Sequence, residues 1–203
     1  MQYFTADTHF FHEQLLGQND FAPRLFATVE EMDQAIITAW NQRVAERDTV
    51  YHLGDIAMHP SNYPSNQEVL AILQQLNGQI VFIKGNHDNR ALFKFLAKNN
   101  PQLTGKRPKF LFHDVGVLIK ANHFQFFMTH YPLMLGIVKQ TINLHGHIHH
   151  SSVPLAENIN VGVDAPELDL LTHKLPFGTP LSVAEVFEIY QRKQALLAQQ
   201  NKN

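Results

Sequence analysis

The chain has 203 residues, 44% of them hydrophobic, which is enough to bury a sizeable core in one domain and argues against disorder. A formal net charge of -2 provides no overall basic field for holding long nucleic acid. Cysteine is absent, so disulfides, thiolate zinc sites and cysteine nucleophiles are excluded together.

The opening run Met1-Gln2-Tyr3-Phe4-Thr5-Ala6-Asp7 has no basic segment leading into an apolar one. No stretch approaches the roughly 20 unbroken apolar residues that a membrane helix needs. A soluble, cytoplasmic protein with no membrane partner is expected. Residues 2–6 then read as a short buried strand. Residues 30–44 read as an amphipathic helix with Met32, Ile36, Ile37, Trp40 and Val44 on one face. Strand 49–53, helix 67–76, a turn at Asn77-Gly78, strand 79–84 and helix 91–98 follow. After Pro101 the pattern changes to strands at 110–115, 117–120 and 124–129, with Ala121-Asn122 as a hairpin turn. Short strands at 141–144 and 158–163 precede a Pro/Gly loop at 175–180. Ser182 and Glu185 form a capping box for a last helix, 182–197, with Val183, Val186, Phe187 and Tyr190 inward. Successive βα units followed by a more antiparallel half predict a layered α/β fold, and no linker divides the chain, so residues 1–203 are expected to form a single domain.

Histidine is the odd figure: 13 in all, four of them within residues 145–150. Five polar clusters stand out, namely Asp7-Thr8-His9, Gly54-Asp55, Gly85-Asn86-His87-Asp88, His130 and Gly146-His147-Ile148-His149, and each of the first four follows a predicted strand. Side chains at the carboxyl ends of strands in an open α/β sheet converge on one crevice, so clusters far apart in sequence can share one site. In Asp7-Thr8-His9 and in His147-Ile148-His149 the polar side chains lie two apart, which puts them on the same side of an extended strand end. Glycine before Asp55, Asn86 and His147 lets backbone turn sharply or pass close to an ion. Carboxylates, an amide oxygen and imidazoles without sulfur suit manganese, iron, zinc, cobalt or nickel. Asp7, His9, Asp55, Asn86, His130, His147 and His149 are too many donors for one ion and about right for two that share a carboxylate.

In order, these clusters resemble the signature of the calcineurin-like metallophosphoesterase superfamily: Asp-x-His, Gly-Asp, Gly-Asn-His-Asp, His and Gly-His-x-His. The match runs from Asp7 to His149. The stretches around Asp7 and Asp55 also look like a small bacterial and phage branch of uncharacterised phosphoesterases. The resemblance implies a four-layer metallophosphoesterase-type α/β fold, with two packed mixed β-sheets flanked by helices. It implies that Asp7, His9 and His149 hold one divalent ion, that Asn86, His130 and His147 hold another, and that Asp55 bridges them, manganese being the first expectation. A metal-bridging hydroxide would attack the phosphorus of a small or flexible phosphodiester or phosphomonoester, nucleotides included. His87 would be the general acid, oriented by Asp88. The residues agree with this: an imidazole flanked by a carboxylate can stay protonated near neutral pH, and an alkoxide leaving group needs a proton. Two divalent ions against Asp7, Asp55 and a hydroxide leave a local charge of about +1, which attracts phosphate. His12, Arg24, His59 and Arg90 lie near the clusters and are the candidate contacts to phosphate oxygens.

One departure narrows the substrate. Where the superfamily often continues Gly-Asp-x-x-Asp-Arg-Gly, this chain runs Gly54-Asp55-Ile56-Ala57-Met58-His59. Met58 replaces the acid and the arginine is absent, which counts against phosphoprotein and dinucleoside-tetraphosphate substrates. Two other functions compete. A nuclease acting on short or single-stranded nucleic acid is disfavoured for duplex by the lack of a basic stripe. A non-catalytic protein-binding scaffold is disfavoured because no ligand and no general acid is missing.

Overall fold

A computed structural model describes residues 1–19, 21–58, 64–136 and 138–200. It begins with β1 (Gln2–Thr5), and three crossovers follow: α1 (Val29–Arg43) into β2 (Thr49–His52), α2 (Asn66–Gln74) into β3 (Gln79–Ile83), and α3 (Arg90–Lys98). A small antiparallel hairpin, β4 (Gln102–Leu103) and β5 (Arg107–Pro108), leads into β6 (Phe110–His113). Next come β7 (Gly116–Ala121), β8 (Phe124–Thr129), β9 (Thr141–His145) and β10 (Asn158–Asn160), then β11 (Leu181–Ser182) and α4 (Val183–Gln200). The first sheet has the order β11-β1-β2-β3-β6 and is parallel except for β11 at its edge; the second has the order β10-β9-β8-β7.

Why these segments fold so is visible in their alternation. The central first-sheet strands β1, β2 and β3 are buried on both faces almost throughout, because successive side chains enter two different cores. Tyr3, Val50, Ile80 and Phe82 meet Met32, Ile36, Trp40, Leu73 and Leu92 of the three crossover helices. Phe4, Tyr51, Val81 and Ile83 meet Phe126, Met128, Ile142, Leu144 and Ile159 of the second sheet. Helix α4 adds Val186 and Ile189 to this second core, and its capping box is made as expected, with Ser182 N–H donating to Glu185 and Glu185 N–H to Ser182 Oγ. The result is two packed mixed sheets flanked by helices. Among the described residues no helix is long and apolar enough to cross a membrane.

Two expectations need correction. The second half is not mainly antiparallel: β7 and β8 form its hairpin, but β8–β9 and β9–β10 are parallel. The connections after His130 and after Gly146 cross over instead of turning back, and a strand alternation pattern carries no record of that. The hairpin turn is Asn122-His123, one residue later than read, with φ of 47° and 67°, the geometry of a two-residue loop closing Ala121 on Phe124. Strands β4, β5 and β11 were not foreseen, being two residues each.

Parallel pairing places the site. The carboxyl ends of β1, β2 and β3 share one edge of the first sheet, and those of β8, β9 and β10 share one edge of the second. Backbone hydrogen bonds tie the loops leaving them together: Asp7 N–H to Gly54 C=O at 3.0 Å, His9 N–H to Asp55 C=O at 3.1 Å, Gly146 N–H to His130 C=O at 3.0 Å.

Candidate metal centre

The seven expected ligands come together at this edge. Asp7, His9 and His149 present donor atoms all within 4.8 Å of one another, and so do Asp55, His130 and His147. Asp55 of the second set also faces the first, its Oδ2 3.6 Å from His9 Nε2 and 3.4 Å from His130 Nε2. Asn86 Oδ1 is 2.8 Å from both His130 Nε2 and His147 Nδ1.

The backbone that achieves this is not the extended one expected from two-residue spacing. Asp7, His9, Asp55, His147 and His149 all have φ between 44° and 72°. Left-handed backbone at non-glycine residues costs on the order of 1 kcal/mol each and persists only where the surroundings hold it. Five such residues at one site mark it as a place where stability is traded for geometry. Close approach explains two glycines. A Cβ on Gly85 would stand 2.2 Å from Asp55 Oδ1, and one on Gly146 would stand 2.5 Å from Asp7 Oδ2.

The donors fit divalent cations. His130 Nδ1 is 2.8 Å from the Leu53 carbonyl, which only accepts, so Nδ1 carries the hydrogen and Nε2 of the neutral ring offers a lone pair. That lone pair faces the acceptor oxygens of Asn86 and Asp55. His9 Nε2 is buried without any hydrogen-bond partner. His149 Nδ1 lies 3.1 Å from Asp164 Oδ2, which leaves Nε2 as its free donor. Converging lone pairs repel unless a cation or proton sits among them. Without one, burial pushes the Asp7 carboxyl up to about 7, and burial, reinforced by Arg24, drives His9 well below the usual imidazole range. Burial opposes charge at His130 as well, yet its hydrogen bond to Asp55 raises it, and Asp55 is held low by the same contact against its own burial.

Several neighbours serve the site differently from the sequence expectation. Arg24 does not reach toward phosphate. It is buried, with Nε and Nη2 on Asp164 Oδ2 at 3.1 and 2.8 Å, Nη2 on the Asp7 carbonyl, and Nη1 on the Thr8 carbonyl and Met32 sulfur. These contacts engage all five guanidinium N–H groups. His12 is also buried, its Nδ1 3.2 Å from His9 Nδ1, so it braces that ring. Burial, then Arg24, lowers it to about 4. Asp88 accepts from three backbone N–H groups, Ile56 on Oδ1 and Asp55 and Gly85 on Oδ2, each at 2.9 Å. These bonds fix the loops that carry Asp55 and Asn86. The His87 N–H donates to Asp55 Oδ1 at 2.9 Å, and its ring lies 5.4 Å from that of His9. Arg90 is exposed at the start of α3, and His59 lies outside the described residues.

Asp164 was missed. It follows β10 within Gly162-Val163-Asp164, with no motif around it, and only the pairing of β10 with β9 brings it to His149. Burial would raise its carboxyl, but Arg24 and His149 hold it down at about 2. Two aromatic rings were missed as well: Phe21 lies 4.6 Å from the His149 ring and Tyr131 4.4 Å from that of His147. Asp164→Asn is expected to weaken metal binding about 10–100-fold by loosening the orientation of His149. Competition with a chromogenic chelator measures this, and unchanged affinity would leave Asp164 a purely structural residue.

A family model for calcineurin-like phosphoesterases matches residues 3–190. The chain belongs to the calcineurin-like phosphoesterase family. That family consists of metal-dependent hydrolases of phosphate esters that use divalent ions, and the two donor groups stand ready for such ions in this member. An uncharacterized protein of Methanocaldococcus jannaschii is 32% identical to this phosphoesterase over 141 residues, which cover 65% of this chain and 74% of that protein. The Gene 66 protein of Mycobacterium phage L5 is 33% identical over 86 residues, 42% of this chain and 39% of that one. A crystal structure of a protein of unknown function from Aquifex aeolicus superposes with a TM-score of 0.58 at 24% identity, over 81% of this chain and 90% of that one, and so shares the fold.

Proposed function

We propose that this protein is a two-metal phosphoesterase, one domain over residues 1–203, acting in the cytoplasm on a small or flexible phosphodiester or phosphomonoester. Asp7, His9 and His149 hold one ion, Asn86, His130 and His147 hold the other, and Asp55 is shared. The observation that carries this reading is the place of Asp55 Oδ2, within 3.6 Å of an imidazole nitrogen from each set. When bound, two divalent cations, manganese first among them, supply a nucleophile from water at neutral pH and neutralise charge on the phosphoryl oxygens.

The chain's own residues do the rest. Asp55 and the ring of imidazoles hold the donors in place before substrate arrives, so no reorganisation is needed as charge develops. His87 stands half-buried at the rim of the site, with its backbone fixed to Asp55, and delivers a proton to the leaving oxygen. Arg90, exposed at the start of α3, and His59 are the candidate contacts to a phosphate oxygen. The nearly complete burial of Asp7, His9, Asp55, His130 and His149 keeps bulk water from competing for the donors.

The test is a titration of chelator-stripped protein with manganese, followed by assay on a chromogenic phosphomonoester and a chromogenic phosphodiester. The expected result is about two ions bound per chain, with turnover that appears on adding metal and vanishes with chelator. One ion per chain, or turnover indifferent to metal, would overturn it.

A further inference from the structure

Beside the second donor set the surface opens into a cavity of about 590 Å³, a size ordinary for small-molecule sites. It is walled by Tyr131, Leu118, Phe127 and Leu133, and Lys84 and Asp114 also line it. Its position ties it to the metal centre by two routes. His130 forms part of the wall, and Lys84 Nζ bonds the carbonyl of Gly85, the residue before Asn86. The Tyr131 ring stands between cavity and centre, 5.1 Å from the His130 ring and 4.4 Å from that of His147, while half of its surface stays exposed. Its backbone is held in place by the Thr129 hydroxyl, which donates to the Tyr131 carbonyl at 2.6 Å. Leu118 is 45% exposed on the cavity's side. Large side chains left uncovered around a concave surface mark a place where something apolar binds.

We infer that this cavity receives the nucleobase of a nucleoside phosphate ester whose phosphate lies on the adjacent metal centre, an inference that rests on the proposed phosphoesterase activity. The lining discriminates between candidate groups. An alkyl chain would cover the apolar walls but strip water from Lys84 and Asp114 without replacing it. A planar heterocycle presents faces to Tyr131 and Phe127, and presents edge donors and acceptors to Asp114 and Lys84. Stacking on an aromatic ring is tolerant of base identity, so the site selects nucleosides as a class. The near-neutral chain and a cavity of this volume favour a mononucleotide-sized ester over a polymer.

Calorimetric titration of the manganese-loaded protein with AMP, inorganic phosphate and adenosine tests this. Wild type is expected to bind AMP at least about tenfold more tightly than phosphate. Tyr131→Ala should bring the ratio of the two affinities close to one, and Tyr131→Phe, which keeps the ring, should restore most of it. Equal affinities in wild type would overturn the proposal, and so would a loss in Tyr131→Ala that strikes both ligands alike and leaves the ratio standing, because that is what mere support of His147 predicts. Adenosine separates this inference from the activity beneath it. If phosphate fails to bind but adenosine binds and loses affinity in Tyr131→Ala, the cavity stands and the phosphoesterase reading falls. If neither adenosine nor AMP binds better than phosphate, the cavity assignment falls whatever phosphate does.

Discussion

Asp55→Asn is expected to cut metal-dependent phosphoester hydrolysis by at least about a thousandfold and to lower bound metal from about two ions per chain to about one. The amide keeps the size of the carboxylate and keeps an oxygen to accept the His87 N–H, so the loop should hold its shape. What disappears is the negative charge and the second oxygen, and it is Oδ2 that stands between His9 and His130. In the metal-free protein this carboxylate is also the counter-charge for His130, whose proton affinity it raises. The melting temperature of metal-free protein should move by no more than a few degrees, since one uncompensated contact among imidazoles is worth about 1 kcal/mol. Metal analysis beside melting curves separates the outcomes. Two ions retained with activity lost would mean that Asp55 acts on the substrate and does not bridge. Unfolding would mean that the site is built on this charge.

The location of the candidate centre was legible because its polar clusters sit directly after strands. Asp7 follows β1, Asp55 follows β2, Asn86 follows β3 and His130 follows β8, and in each case a strand leads into a polar cluster. The helix faces were equally readable: Met32, Ile36 and Trp40 are completely buried, as their spacing required. What escaped were features decided by tertiary neighbours. Arg24 looks like any arginine near a motif until Asp164, 140 residues later, is seen to hold it. The direction of β9 and β10 depends on where two loops cross. The left-handed backbone of Asp7 and His9 replaces the extended geometry that two-residue spacing suggests, and the donors converge all the same because turn and pleat both bring alternate side chains together.

This distinction between what a motif names and what its contacts do is sharpest at Asp88. The family pattern makes it the partner of His87, which predicts that its removal harms the proton-transfer step and little else. Its contacts predict something larger. Asp88 is buried, 2% exposed, and it satisfies the N–H groups of Gly85, Asp55 and Ile56, which belong to the two loops carrying Asn86 and Asp55. Burial raises its own proton affinity, and the three N–H groups counter that rise only in part. Asp88→Ala therefore orphans three buried donors, each worth about 1–3 kcal/mol, and the expected loss of stability is about 3–5 kcal/mol. For a chain of this length that lowers the melting temperature by roughly 10 °C. Metal affinity should fall with it, because Asn86 and Asp55 lose their common anchor. Asp88→Asn, which keeps one acceptor oxygen, should fall between the two. Melting and metal titration of the three proteins decide the matter: a stable Asp88→Ala protein that still binds two ions and has lost only the assistance to the leaving group would return Asp88 to the role of orienting His87.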